Sequence, residues 1–287
     1  MVMIAIIVNS KARNAASIKL YLEEFKVSKI DYDLYEIDSE KLSATIEKCI
    51  SKYQIILIGG GDGSIRTAAQ YCALSSVQLG VLPLGTMNHL AKELGLPQSP
   101  KEMVVAIKNL NTIKIDLGEV NGLVFLNNSS VGFYPKFADK RDSYSKFYNK
   151  WLSYIPSFIE SFKKHEVFKM DIKSKQLNCS LSSSFFMVSN NLYSLKFPLS
   201  IKRDSFQKSV LGIYYFKQGK IKFFKIIKSI FNNKKNFEIL QSKHPIELHF
   251  SKQKEIKISL DGDTMKVNTP LHYKSLPKSL NILINSK

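Results

Sequence analysis

The sequence predicts a chain in two parts, an α/β unit on a parallel sheet followed by a β-rich unit. Up to about residue 115, short apolar runs alternate with stretches of helical periodicity. Beyond Ile115 the helical stretches thin out, and segments rich in β-branched and aromatic residues follow one another.

Met3 to Val8 reads as a central strand, Ala15 to Phe25 as an amphipathic helix, Tyr32 to Ile37 as a strand and Ser43 to Ser51 as a helix. Gln54 to Ile58 is a buried strand expected to stop in a turn at Gly59-Gly60-Gly61, with helical spacing resuming from Ile65 to Leu74. Leu79 to Pro83 is another short buried strand, followed by a helix from about Asn88 to Leu94. Strands are then expected at 113–120, 122–129, 167–173, 183–190, 210–216, 246–251 and 255–260. Two stretches with helical spacing interrupt them. One carries Phe147, Trp151, Ile155, Phe158 and Phe162, with Pro156 as a kink or a fresh helix start. The other runs from Ile221 to Phe231. These patterns divide the chain into 1–115 and 116–275.

With 287 residues, 44% hydrophobic and 23% charged, there is length enough for two cores. A net charge of +18 and a pI near 9.6 favour an anionic partner: nucleic acid, an acidic membrane surface or a polyphosphate. No helix-turn-helix, zinc or RNA-recognition motif accompanies that charge, so nucleic acid is not the expected partner. Cys49, Cys72 and Cys179 lie too far apart for a metal motif and suit a reducing cytosol. The histidines show no ligand spacing, which argues against catalytic zinc. The apolar start lacks a basic n-region and reads as a strand, and no run approaches the ~20 apolar residues that cross a bilayer. Membrane contact would therefore be peripheral.

Three motifs point to chemistry. Gly59 to Ser64 stands between a buried strand and a helix, where glycines let backbone N–H groups approach phosphate oxygens. Ser64 is expected to cap the following helix; a plain glycine turn is the bland alternative. The loop has no closing Lys-Ser/Thr pair and so is not a Walker A loop. Next, Pro83 to Lys92 puts Thr86 and Asn88 beside a strand end, as ligand groups or as helix caps. Finally, Asp261-Gly262-Asp263 offers two carboxylates around a glycine, for hydroxyl activation or metal binding, or else simply makes a hairpin turn.

Together these segments resemble the diacylglycerol kinase catalytic family, which includes bacterial lipid kinases and sphingosine and ceramide kinases. The family's Gly-Gly-Asp-Gly-Thr stands here as Gly60 to Ser64, and Gly85-Thr86-Met87-Asn88-His89 is similar to its Gly-Thr-x-Asn-His branch. The likeness continues through Phe125 to Pro135, Ser189-Asn190-Asn191, Asp261-Gly262-Asp263 and Pro270-Leu271. The resemblance implies a nucleotide-binding α/β domain akin to NAD kinases and phosphofructokinases, then a C-terminal β-sandwich for the lipid. A last strand, in about 276–287, returns to the first domain.

The activity implied is transfer of the γ-phosphate of ATP, with Mg2+, to a lipid hydroxyl. Gly60, Gly61, Asp62, Gly63, Ser64 and Arg66 would cradle the phosphates, with Asp62 near the magnesium of the nucleotide. Asn9, Asp38, Thr86 and Asn88 would contact the nucleotide, and Asp263 would be the general base where the family has glutamate. The loop Asn9-Ser10-Lys11-Ala12-Arg13 lacks the family's proline and glycine, and Lys11 or Arg13 is expected to offer charge to the phosphates instead. A structural magnesium site of many bacterial members has lost its acids at Gln207 to Gly212, so no such ion is expected. The partners implied are a membrane lipid and the anionic inner face of the membrane, approached from the cytoplasm; a homo-oligomer is left open. Lysines at 222, 225 and 228 make Ile221 to Phe231 either a basic amphipathic helix on the leaflet or an ordinary surface helix. The rival readings are an NAD-kinase-like enzyme with a soluble acceptor and a basic nucleic-acid-binding protein.

Overall fold

The computed structural model of the chain describes residues 3–85, 88–132, 166–196, 200–203, 205–216 and 237–285. Thr86, the aromatic set from Phe147 to Phe162 and the stretch Ile221 to Phe231 lie outside the described residues. The chain divides into Met1–Leu117 with Leu276–Lys287, and Gly118–Ser275.

The first unit runs β1 (Ile4–Asn9), α1 (Ile18–Val27), β2 (Asp33–Ile37), α2 (Leu42–Ile50), β3 (Ile55–Gly60), α3 (Asp62–Cys72), β4 (Gln78–Pro83), α4 (His89–Glu93) and α5 (Pro100–Asn109). The first residues of β5 (Thr112–Val120) complete this run. β2, β1, β3 and β4 lie side by side in that order, all parallel. Every side chain from Ile4 to Val8 and from Ile55 to Ile58 is buried, as a parallel sheet covered on both faces requires. Alternation sorts them: Ile4, Ile6, Val8, Ile55 and Leu57 pack with Ile18, Tyr21 and Phe25 of α1 and Met103, Val104 and Ile107 of α5.

Two boundaries differ from the sequence expectation. β3 does not stop at the glycines but carries Gly59 and Gly60 within the sheet, paired with Leu82 and Pro83 of β4. α3 starts at Asp62, so half of the glycine motif is helix.

The second unit adds β6 (Leu123–Phe125), β7 (Asn128–Gly132), β8 (Phe168–Ser174), β9 (Asn178–Ser183), β10 (Phe185–Asn190), β11 (Tyr193–Lys196), β12 (Ser200–Arg203), β13 (Leu211–Phe216), β14 (Phe237–Ser242), β15 (Ile246–Phe250), β16 (Glu255–Leu260) and β17 (Asp263–Asn268). One sheet has the order β14-β13-β10-β7-β16-β17, antiparallel throughout. Its Val131, Phe186, Val188, Ile213, Ile258 and Leu260 share a core with Met170, Ile172, Leu248, Leu271 and Tyr273, which belong to strands paired through β15. Two sheets packed face to face about one core are the expected sandwich.

β18 (Leu271–Leu283) serves both units in turn. Leu271 to Tyr273 pair antiparallel with β15, and Asn281 and Ile282 pair parallel with β4. Among the described residues no helix is long and apolar enough to cross a membrane.

Candidate functional site

Strand order places the site in the first unit. From β1 the chain moves to β2 on one side and then to β3 on the other, so β1 and β3 flank the point where the winding reverses. Ligands of open α/β sheets bind beyond the carboxyl ends of the strands at that point. Asn9 ends β1, Gly60 ends β3, and Pro83 ends β4.

Side chains tie these ends together. Asn9 Nδ2 donates to Ser64 Oγ at 3.3 Å, and Asn9 Oδ1 accepts from the Lys11 N–H at 3.0 Å. The second bond is an Asx turn, which closes the loop without the missing proline and glycine. Asn14 donates from its backbone N–H to Leu84 O at 3.1 Å and from Nδ2 to Gly85 O at 3.4 Å, joining the loop after β1 to the loop after β4.

The glycines are required by crowding. A β-carbon on Gly60 would stand 2.5 Å from Ser64 Oγ, and one on Gly85 would stand 2.5 Å from the Cα of Gly61 and 2.7 Å from Asn88 Oδ1. Asn88 adopts the left-handed conformation at φ 50° and is only 8% exposed. Its Nδ2 donates to Pro83 O at 3.0 Å and Gly85 O at 3.1 Å, while its Oδ1 is buried with no hydrogen-bond partner among the described residues. An orphaned buried acceptor beside three glycines is a group waiting for a donor.

Ser64 corrects an expectation. It is the third residue of α3, and Gly61 holds the N-cap with no side-chain capping bond. Asp62 stands in that first turn, and Arg66 follows one turn later.

Asp38, just past β2, is held by neighbours. Ser10 Oγ donates to it at 2.5 Å and Lys11 Nζ pairs with it at 3.3 Å. The Ser10 hydroxyl and then the Lys11 ammonium hold its carboxyl below the usual carboxylate range. Lys11 is thus paired with Asp38 at the ends of β1 and β2.

In the second unit Asp261 and Gly262 form a two-residue hairpin loop closed by the pair Leu260 and Asp263. Their φ angles of 50° and 100° are those of a type I′ turn, the geometry that Asp-Gly favours. The hairpin reading and the functional one therefore coexist. Asp261 is structural: its Oδ2 accepts from the Leu126 N–H at 2.7 Å, and its Oδ1 from Asn127 at 2.7 Å and Asn128 at 3.0 Å. Asp263, the first residue of β17, is exposed.

Sequence reasoning missed Arg203. It is 6% exposed, and its Nη1 donates to Leu126 O at 2.6 Å and Asn190 O at 3.2 Å, its Nη2 to Asn127 Oδ1 at 2.7 Å. No local pattern announces it, because those partners lie 76, 77 and 13 positions away.

Among the described residues no three His, Cys, Asp or Glu side chains form a group able to hold a metal ion. A nucleotide-borne magnesium needs only one or two carboxylates besides phosphates and water.

Comparison with known proteins agrees with this geometry. The model of the family described as "Diacylglycerol kinase catalytic domain" matches residues 3–120. "Probable lipid kinase YegS-like" of Pseudomonas aeruginosa is 39% identical over 92 residues, 31% of this chain and 30% of the relative. Its namesake in Pseudomonas putida is 39% identical over 98 residues, 33% and 32% of the two chains. The matched region spans about a third of the length of these curated relatives. A crystal structure of a diacylglycerol kinase from Bacillus anthracis str. Sterne superposes with a TM-score of 0.70 at 17% identity, over 99% of this chain and 97% of that one. At that identity the likeness is one of fold.

Proposed function

We propose, from the match of residues 3–120 to the family model described as "Diacylglycerol kinase catalytic domain", that the chain is an ATP-dependent lipid kinase. The observation that carries the reading is the glycine-lined strand end of the first unit, with the unpartnered Asn88 Oδ1 at its edge. Gly60 and Gly85 leave no room for side chains, and the start of α3 presents N–H groups where phosphate oxygens are favoured. Asn88 Oδ1 accepts from a hydroxyl or amino group of the nucleotide. Asp62 would hold magnesium together with the phosphates, and the ion would supply charge neutralisation at the transferring group.

Asp263 is assigned as general base. Its carboxylate takes the proton of the lipid hydroxyl as that oxygen bonds to the γ-phosphorus, and ADP leaves. Aspartate reaches about 1 Å less far than glutamate, so the acceptor hydroxyl must come closer to the β17 backbone. The acceptor is drawn from an anionic leaflet that the basic chain meets peripherally from the cytoplasmic side.

The test is transfer of radiolabel from γ-labelled ATP to a panel of diacylglycerol, other glycerolipids, sphingoid bases and polyprenols, with NAD as the soluble comparison. Label is expected in a lipid, and Asp263→Asn is expected to abolish turnover while ATP binding persists. Label in NAD alone would replace the lipid reading, and full activity of Asp263→Asn would remove Asp263 as the base.

A further inference from the structure

We infer that Arg203 is a positioning residue for the hairpin that presents Asp263, acting from the far side of the segment Leu126-Asn127-Asn128. This rests on the assignment of Asp263 as base only for its catalytic consequence; the mechanical part stands on the contacts alone.

The segment between β6 and β7 is gripped from both sides. Asp261 accepts from the three successive N–H groups of Leu126, Asn127 and Asn128, and its own N–H donates to Asn128 O at 3.0 Å. The opposite polarity is met by Arg203, which donates to Leu126 O and Asn127 Oδ1. Asn190 Nδ2 adds a second donor to Leu126 O at 3.1 Å, and Arg203 ties itself back to Asn190 O. A carboxylate on the N–H groups and a guanidinium on the oxygens of the same residues polarise the intervening amides in one direction. Each grip therefore strengthens the other.

The choice of arginine follows. Its planar fork reaches acceptors in different directions from one rigid group, which an ammonium on a flexible stem does not. The guanidinium is also fixed from its faces: it lies 4.2 Å from the Phe206 ring centre and 5.6 Å from that of Tyr193. Asp261 is one of only two residues in the loop that turns β16 into β17, so its position sets that of Asp263 two residues on. Releasing Leu126 and Asn127 from Arg203 lets the segment, and the carboxylate bound to it, shift. A shift near 1 Å at a reacting group costs about 100-fold in rate.

The experiment uses the full chain with Arg203→Ala, Arg203→Lys and Arg203→Ala in millimolar guanidinium. Arg203→Ala is expected to lower kcat about 30- to 100-fold, with KM for ATP within about twofold of wild type. Added guanidinium is expected to restore most of the loss, and lysine little of it. Amide exchange at Leu126, Asn127, Asn128 and Asp261 is expected to quicken selectively in the alanine variant. A kcat within about twofold of wild type, or unchanged exchange at those amides, overturns the inference. So does a uniform rise in exchange across the second unit without guanidinium rescue, since Arg203 would then be a general packing residue. Should Arg203→Ala not fold, Asn127→Ala removes the Nη2 partner from the other side, and the same readouts support or overturn the inference in the same way. If wild type labels no lipid, the lipid-kinase reading falls, and the exchange pattern alone decides whether Arg203 holds the hairpin.

Discussion

A β-carbon on Gly85 would stand 2.5 Å from the Cα of Gly61, so the loops leaving β4 and β3 meet through glycine backbone alone. Gly60 is also crowded, but there the obstacle is a side chain, Ser64. Gly85→Ala must move backbone and is expected to cost about 1–3 kcal/mol, with loss of ATP-analogue binding. Gly60→Ala should be milder when paired with Ser64→Gly. Thermal unfolding and calorimetric titration with a non-hydrolysable analogue check both; equal damage from the two alanines would show that backbone contact is not the limiting factor.

Asn88 holds two carbonyls through one amide nitrogen. Asn88→Ala strands Pro83 O and Gly85 O and is expected to destabilise by about 1–3 kcal/mol. Asn88→Asp should be worse above the carboxylate range, because a second acceptor then faces those carbonyls. Asn88→Gly keeps the left-handed backbone at no steric cost and should fall closest to wild type in stability, though not in nucleotide affinity. Denaturant midpoints give the order, and any other ranking removes the amide as the anchor.

Alkaline pH should unfold the first unit by a traceable route. Burial, and then the Glu102 carboxylate, pushes the Tyr21 phenol up to about 12. Burial, with Cys49 adding to it, pushes the Cys72 thiol up to about 12. Both folded values exceed the unfolded ones, so the stability they carry is whole below the unfolded value and is lost as pH climbs toward the folded one. The window opens near pH 9 for Cys72 and near pH 10 for Tyr21. Urea midpoints followed to about pH 11 should fall, with a shallower slope in Cys72→Ala from the start of the window and in Tyr21→Phe only later. Parallel slopes in all three proteins would contradict these assignments.

The proposed contact with an anionic leaflet, made by a chain of charge +18, would depend on salt. Sedimentation with vesicles containing phosphatidylserine should fall several-fold between about 0.1 M and 1 M salt, as the screening length shrinks from ~10 Å to ~3 Å. Vesicles of phosphatidylcholine alone should bind little in either. Salt-insensitive binding would assign the contact to apolar insertion instead.

Much of the first unit is legible in the sequence because each buried parallel strand writes itself as an apolar run, as Ile55 to Ile58 does. α5 is absent from the sequence expectation although its signal is present: Ser99 Oγ accepts from the Glu102 N–H at 3.3 Å, and Glu102 Oε2 accepts from the Gln98 N–H at 2.7 Å. Ser-Pro-x-Glu is a helix start, with the serine as cap and the proline in the first turn. In the second unit β9, β11, β12, β14 and β17 are hard to see because short polar strands such as Asn178–Ser183 lack a clean alternation. The expected strand at 122–129 is in fact β6 and β7, split where Asp261 takes the N–H groups of 126–128. Asn9 and Asn88 are legible as candidate nucleotide contacts but not as the side chains that hold the loops. Asn9 bonds Ser64, 55 positions away, and the Asn88 bonds depend on a left-handed backbone that no local pattern spells out.

The double allegiance of β18 sets an order of events at the ribosome. Its final residues are the neighbours of Gln78 and Leu79, yet they are translated only after all of the second unit. Until then β4 lacks a parallel neighbour on that side, and the nascent first unit carries an apolar strand edge through the synthesis of more than half the protein. Chaperone dependence during translation, rather than any defect of the finished fold, is where truncations within β18 should first be felt.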